Sequence, residues 1–426
     1  MAADRSLSTR ALLRDRNFTH YLLARVLATT ALQMQSVAVG WQVYALSRNY
    51  VDLGLVGLAQ FVPFVSLVLL AGQFADRANR RWIVTACFAV ESFASLALLA
   101  FSLSGIRVVW PIFVIAALFG AARAFIMPTT QAMLPNLVPL TLFPRAVALN
   151  SSTFQLSMIA GPVIAGFLYA LGPGFVYGTT ASASALAVVL MVALRYRQSL
   201  SVTDGSTFHD LFEGLRFVRS RPNVLGAISL DLFAVLFGGA TALLPAYAKD
   251  VLHLDVSGFG WLRTAPGIGA AVMALALTLR PVHRHVGRWM FGGVALFGLA
   301  TMVFGLSTSF ALSLAALVLL GAGDMVSVYV RQTLVQIETP DRIRGRVSAV
   351  SSVFIGASNE LGEFRSGLTA AWLGLIPSVV VGGVVTISVT LLWTVLFPSL
   401  SRMFAFPNPP RETEEPAGRR TSSSDA

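Results

Sequence analysis

The chain is 426 residues long, 55% hydrophobic and only 12% charged, with a mean hydropathy of +0.72, and so little polar surface excludes a soluble domain of this size. Its single cysteine, Cys87, lies inside an apolar run and offers neither a disulfide nor a thiolate metal site. The formal net charge of +11 is not gathered into a basic patch on a recognisable module, which argues against nucleic acid as the partner.

In chain order, residues 1–17 carry charges out to Arg16, and no cleavage-type site follows the first apolar run, so they read as a cytoplasmic extension rather than a removable signal. Apolar stretches then recur at the length that a membrane-crossing helix needs, about 20 residues. They fall near 18–46, 52–74, 82–104, 108–129, 145–170, 174–195, 223–247, 258–280, 288–307, 309–331, 346–374 and 376–398. This pattern predicts an all-α polytopic membrane protein of twelve transmembrane helices in two six-helix bundles, 18–195 and 223–398. Between the bundles, residues 196–222 repeat Phe208, Leu211, Phe212, Leu215 and Val218 at helical spacing among charges, the pattern of a helix lying along a membrane interface. Residues 399–426, with Pro407, Pro409, Pro410 and the run RRTSSSDA, read as a disordered tail.

Charge placement sets the orientation. With the N-terminus cytoplasmic, 24 of the 31 basic residues fall at the ends and in the even-numbered connections, and only Arg48, Arg107 and Lys249 fall in the odd ones. That is the positive-inside pattern, with both termini cytoplasmic and a basic face meeting anionic lipid headgroups.

Residues 72–81, GQFADRANRR, place four charges within six positions of the turn between spans 2 and 3. Gly72 permits close helix approach, Asp76 can accept from a facing helix end or an arginine, and Arg77, Arg80 and Arg81 can bind headgroups or carboxylates. This is more than an anchor requires and suggests a cytoplasmic latch. The stretch resembles the loop 2–3 signature of the major facilitator superfamily of secondary transporters, with Phe74 for the usual Leu and Asn79 for the second Gly, Asn being tolerant of a left-handed turn. QLSMIAGPVIAGFL in span 5 resembles the superfamily's antiporter signature, with Gly161, Pro162 and Gly166 at the expected spacing. FIMPTTQAMLPNLVP and ETPDRIRGRVSAVSSVFIG resemble a bacterial subgroup of drug and siderophore exporters. The resemblance implies two halves rocking around a central cavity in the bacterial inner membrane, Asp76 meeting the cytoplasmic end of span 11, and a span 5 pattern linked to export in exchange for protons. In the second half, RPVHRHVGRW keeps Gly287 and Arg288 of the loop signature but lacks its acidic residue.

Ionisable residues within apolar spans are costly and usually face protein or a water-filled cavity. They are Arg25, Glu91, Arg123, Asp231, Arg263, Asp324, Glu360, Glu363 and Arg365, nearly balanced in sign, so that pairing within the bundle is the competing explanation. Arg25 is the preferred cavity residue of span 1, where Thr29, Gln33, Ser36 and Gly40 form a polar stripe and Gln33 and Gln35 lie near mid-span. Asp231 sits among Gly226, Gly238 and Gly239, which permit close packing or bending, and a carboxyl group there can carry a proton. In span 11, Glu360 and Glu363 share a face and can hold one proton between them or dock a cationic group, while Arg365 points elsewhere. Asn359 and the glycines of GASNELGEFRSG can interrupt that helix and free backbone groups for a ligand.

No GxxxxGK[ST] phosphate loop, HExxH or GxSxG is present, so neither ATP drive nor enzyme chemistry is expected. The expected function is secondary active transport: proton-coupled export of a small amphipathic organic molecule, such as a siderophore or drug, by a monomer that needs no cofactor or metal beyond the proton gradient. The expected partners are that small-molecule substrate and membrane lipids. The alternatives are an importer of the same fold and a non-transporting receptor or scaffold. An acidic substrate would be drawn by Arg25, Arg123 or Arg263, a cationic one by Asp231, Glu360 or Glu363.

Overall fold

The computed structural model describes residues 12–139, 141–196, 207–340 and 343–407, and every regular element among them is helical. Twelve long helices follow the expected windows: α1 (Arg16–Ser47), α2 (Tyr50–Arg77), α3 (Arg80–Leu103), α4 (Trp110–Met133), α5 (Phe143–Ala170), α6 (Pro173–Ala193), α7 (Pro222–Gly238), α8 (Val256–Leu279), α9 (Val286–Leu306), α10 (Phe310–Glu338), α11 (Arg344–Leu373) and α12 (Leu375–Leu396). Local chemistry sets their starts. Asp15, Asn49, Asn79 and Asp255 cap α1, α2, α3 and α8, their side chains accepting from main-chain N–H groups two or three residues on, and proline opens α4, α5, α6 and α7. Asn79 thereby differs from expectation. Its backbone is extended, φ −68° and ψ 109°, and its side chain caps α3 at 3.1 Å from the Arg81 amide instead of serving a left-handed turn.

Eleven of these helices are long and apolar enough to cross a membrane, α7 together with its short continuation to Asp250. The exception is α11, 30 residues long, which carries Glu360, Glu363 and Arg365 and packs against α2, α7 and α12. Its charged face is turned to protein, as such a helix requires in lipid. The expected interruption of this helix is absent; Gly362 and Gly367 instead let it lie on the main chains of α7 and α2. The broken helix is α7. It stops at Gly238, makes a 3₁₀ turn at Thr241–Leu243 and resumes as Leu244–Asp250, with Gly238 so close to Phe297 and Thr386 that no Cβ fits.

The basic turns, including α2–α3, lie at one end of the bundle, and the two halves meet at the other. There a single apolar core joins Val37, Leu98 and Phe119 of the first half to Leu244, Phe259, Phe304 and Ala370 of the second. At the basic end the halves keep separate cores, one around Phe18, Val84 and Met191, the others around Met290, Val330 and Val347. Two glycine seams join the halves. Gly166 of α5 faces Val256 and Gly260 of α8, and Gly260 in turn lies against the Pro162 carbonyl. Gly54 and Gly57 of α2 face Glu363 and Phe364 of α11. Gly161 serves α1 within its own half, where a Cβ would lie 3.1 Å from the Thr30 carbonyl oxygen.

The linker helix spans Thr207–Ser220; Val218 is buried, Gly214 lies against the Arg346 main chain, and Glu213 pairs with Arg346. The side chains of Phe208, Leu211 and Phe212, and residues 197–206, lie outside the described residues. The expectation of disorder from 399 onward fails for its first part. Leu400 is fully buried, and Met403 and Phe404 dock on the start of α9, the Gly287 amide donating to the Met403 carbonyl at 3.0 Å. These contacts fall on the second-half loop, whose sequence carries no acidic residue, with Phe404 edge-on to His285. Residues 408–426 lie outside the described ones.

Candidate functional site

Within the shared core, α1, α2, α4, α8, α11 and the broken segment of α7 line a cavity that holds Gln35, Ser36, Gln60, Arg263 and Glu363 among apolar neighbours such as Leu32, Val56 and Phe259. Its void is about 70 Å³, enough for several water molecules at about 10–15 Å³ each. The α7 break supplies one wall. After the break at Gly239, the Thr241 carbonyl accepts the Leu244 amide within the 3₁₀ turn and also Arg263 Nη1 at 3.3 Å, while Arg263 Nη2 lies 3.5 Å from Ser36 Oγ of the other half. Glu363 is brought to the cavity by Gly57, at which a Cβ would lie 2.9 Å from Glu363 Oε2. No described residue donates to Glu363, and it forms no ion pair with Arg263.

The remaining charges are separated from the cavity or neutralised. Arg123 of α4 reaches across the halves to Glu360 of α11, Nη1 to Oε1 2.7 Å, and lies over the Phe64 ring. Arg123 holds Glu360 while Glu363 lines the cavity, and the two carboxyl groups stay within electrostatic reach of each other. Arg25 is also displaced from its expected role. It donates to Asn150 Oδ1 at 2.6 Å and stacks over Tyr21, joining α1 to α5 within the first half. Gln33 likewise meets Met158 of α5, and it is Gln35 that lines the cavity. Asp231, expected to face a pathway, forms a buried ion pair with Arg331 of α10, Oδ2 to Nη1 3.3 Å, and accepts from Ser327 Oγ at 3.2 Å. Asp324 lies within electrostatic reach of both members of that pair. Arg365 donates to the Phe237 carbonyl at 2.6 Å, so its charge sits on the negative end of the α7 dipole. Glu91 is buried in α3, one turn from Cys87, away from the cavity.

In the loop 2–3 stretch, Arg80 donates to the Ala132 carbonyl at the end of α4 at 3.0 Å, and Arg81 to the Met191 and Val192 carbonyls at the end of α6. Both contacts cap helix C-termini of the first half. The surroundings of Gly72 and the side chains of Asp76 and Arg77 lie outside the described residues.

The profile described as transmembrane secretion effector matches residues 7–410, nearly the whole length. The chain belongs to this family of major facilitator superfamily transporters. It is similar to the enterobactin exporter EntS of Citrobacter koseri, 25% identical over 395 residues covering 92% of this chain and 94% of the relative. It is similar also to the enterobactin exporter EntS of Escherichia coli O1:K1, 25% identical over 335 residues, 78% and 80% of the two chains. Among solved structures, a POT family transporter in complex with 5-aminolevulinic acid superposes with a TM-score of 0.72 at 12% identity, over 91% of this chain and 97% of that one. The nucleoside transporter NupG gives 0.69 at 13% identity, over 89% and 98%. These structural likenesses concern the fold.

Further contacts between the halves involve residues that the sequence does not single out as a site. At the joined end, Arg48 after α1 pairs with Asp250 after α7, Nη1 to Oδ1 2.9 Å, and Tyr44 donates to the same carboxylate. Lys249 lies over the Trp41 ring, 5.6 Å from its centroid. Arg48 and Lys249 are two of the three basic residues in the odd-numbered connections, so the signal was present as a departure from the charge bias. Arg331 gave no such signal, because at the edge of its span it counted with the basic connections.

Proposed function

We propose that this transporter exports a small amphipathic organic molecule, such as a siderophore or drug, from the cytoplasm across the bacterial inner membrane in exchange for protons, acting as a monomer. The carrying observation is Glu363, a carboxyl group without a hydrogen-bond or ion-pair partner among the described residues, at the wall of the cavity between the halves. A carboxyl group in that place can hold either a proton or a donor group of the substrate, and exchange needs one site that does both in turn. The positive-inside bias puts the basic end in the cytoplasm, so the halves are joined on the far side and the substrate enters from the cytoplasm. Similarity to enterobactin exporters supports the outward direction.

In liposomes, each compound of an anionic, zwitterionic and cationic series is added while internal pH is followed. A transported compound moves protons oppositely to itself, and Glu363→Gln abolishes that proton movement. Proton movement unchanged in Glu363→Gln would reject Glu363 as the coupling group.

A further inference from the structure

We propose that the substrate carries a cationic and an anionic group at once, with Glu363 holding the first and Arg263 the second. This rests on the exchange reading, in which Glu363 alternates between proton and substrate. Arg123 and Asp231 are neutralised by Glu360 and Arg331, Arg25 is held by Asn150, and Arg365 is held by the end of α7. Arg263 and Glu363 line one cavity, from α8 and α11 of the same half, without pairing to each other.

Arg263 is poorly served as it stands. Its acceptors are two neutral oxygens at 3.3 and 3.5 Å, at or beyond the ordinary limit of an N–H···O bond, whereas a carboxylate is approached at about 2.7–2.9 Å. Beside it, Gln35 is 4% exposed, and one end of its amide is bonded by Ser95 Oγ at 3.0 Å. The other end has no partner. The wall thus presents a carboxylate, a free amide end and a guanidinium, set among apolar side chains. A singly charged substrate would expel water without replacing the hydration of the opposite charge, which costs more than leaving a neutral group unsatisfied. A molecule charged at both ends meets both groups, and its apolar body suits Leu32, Val56 and Phe259. A cationic end at Glu363 requires the ionised carboxylate, so substrate and proton exclude one another there, as exchange demands.

The test uses phenylalanine, phenethylamine and phenylpropionate, which share a phenylethyl unit and carry both charges, the positive charge only and the negative charge only. In a Cys87→Ala background, Val56→Cys on the α2 wall is labelled with a maleimide in detergent, with no gradient, and each compound is scored by how far it slows labelling. Phenylalanine is expected to protect where neither singly charged compound does. Removing one charge partner, Arg263→Gln or Glu363→Gln, should weaken protection by phenylalanine about tenfold or more. The preference should pass to phenethylamine in Arg263→Gln and to phenylpropionate in Glu363→Gln. Equal protection by a singly charged compound, or none by any of the three, would overturn the proposal. Protection by phenylalanine without proton movement in liposomes would instead discard proton exchange and leave the two-ended site standing.

Discussion

Asp231 and Arg331 illustrate how far a charged residue can be read before its partner is known. The aspartate was visible as a carboxyl group in an apolar span, but its partner lay at the edge of the next-but-two span, where it looked like one more basic residue of a connection. With side chains only 6% and 3% exposed, the pair is a register element of the second half. Asp231→Ala removes the ion-pair partner of buried Arg331, leaving only the charge of Asp324 within reach, and should cost up to about 3–5 kcal/mol, read as a large drop in thermal stability in detergent. Asp231→Leu combined with Arg331→Met should recover most of it. If the single variant unfolds with the wild type, the pair is not structural and Asp231 returns as a pathway residue. Arg25 and Gln33 were misplaced for a related reason: the polar stripe of α1 is real, but helical spacing cannot tell which of two neighbouring faces meets α5 and which meets the cavity. Gln33 and Gln35 are two residues apart and point to different places.

Helix positions were legible because a membrane span needs length and apolarity, and both are explicit in sequence. Breaks were less so. The glycines of α11 and those of α7 look alike in sequence, yet α11 runs continuously while α7 stops at Gly238. A glycine marks either a break or a close approach, and only the neighbouring helix decides which. In α5 the two uses are separable: Gly161 accommodates α1, and Gly166 forms the seam with α8, where a Cβ would lie 3.0 Å from the Val256 carbonyl oxygen and 3.3 Å from Gly260 Cα. Gly166→Leu overpacks that seam by about 1–3 kcal/mol and should shift the balance of the two halves about tenfold towards separation at the joined end. The check is an impermeant maleimide, added from the side of that end, reacting with Ala242→Cys in a Cys87→Ala background. Faster labelling is expected; an unchanged rate would mean that the seam is not what holds this end shut.

At the scale of the whole molecule, the bundle is joined at one end by a shared core, two glycine seams and the Arg48–Asp250 pair. That pair is 55% and 33% exposed, so solvent screening leaves it about 0.2–1 kcal/mol, enough to tune the opening and not to forbid it. Arg48→Asp should raise labelling of Ala242→Cys no more than about fivefold, and adding Asp250→Arg should restore it. Failure of the charge swap to restore would assign the effect to the Arg48 backbone, which holds φ 52°, and not to the ion pair.

Exchange through Glu363 requires that the proton on this carboxyl group be coupled to which end of the transporter is joined. The most direct measurement is the distance between spin labels at exposed Thr141→Cys and Arg284→Cys, which sit on the basic end of opposite halves, in a Cys87→Ala background across a range of pH. The account predicts that the distance distribution shifts with pH in the otherwise native protein and stays fixed in Glu363→Gln. An equal pH response in both proteins would contradict it.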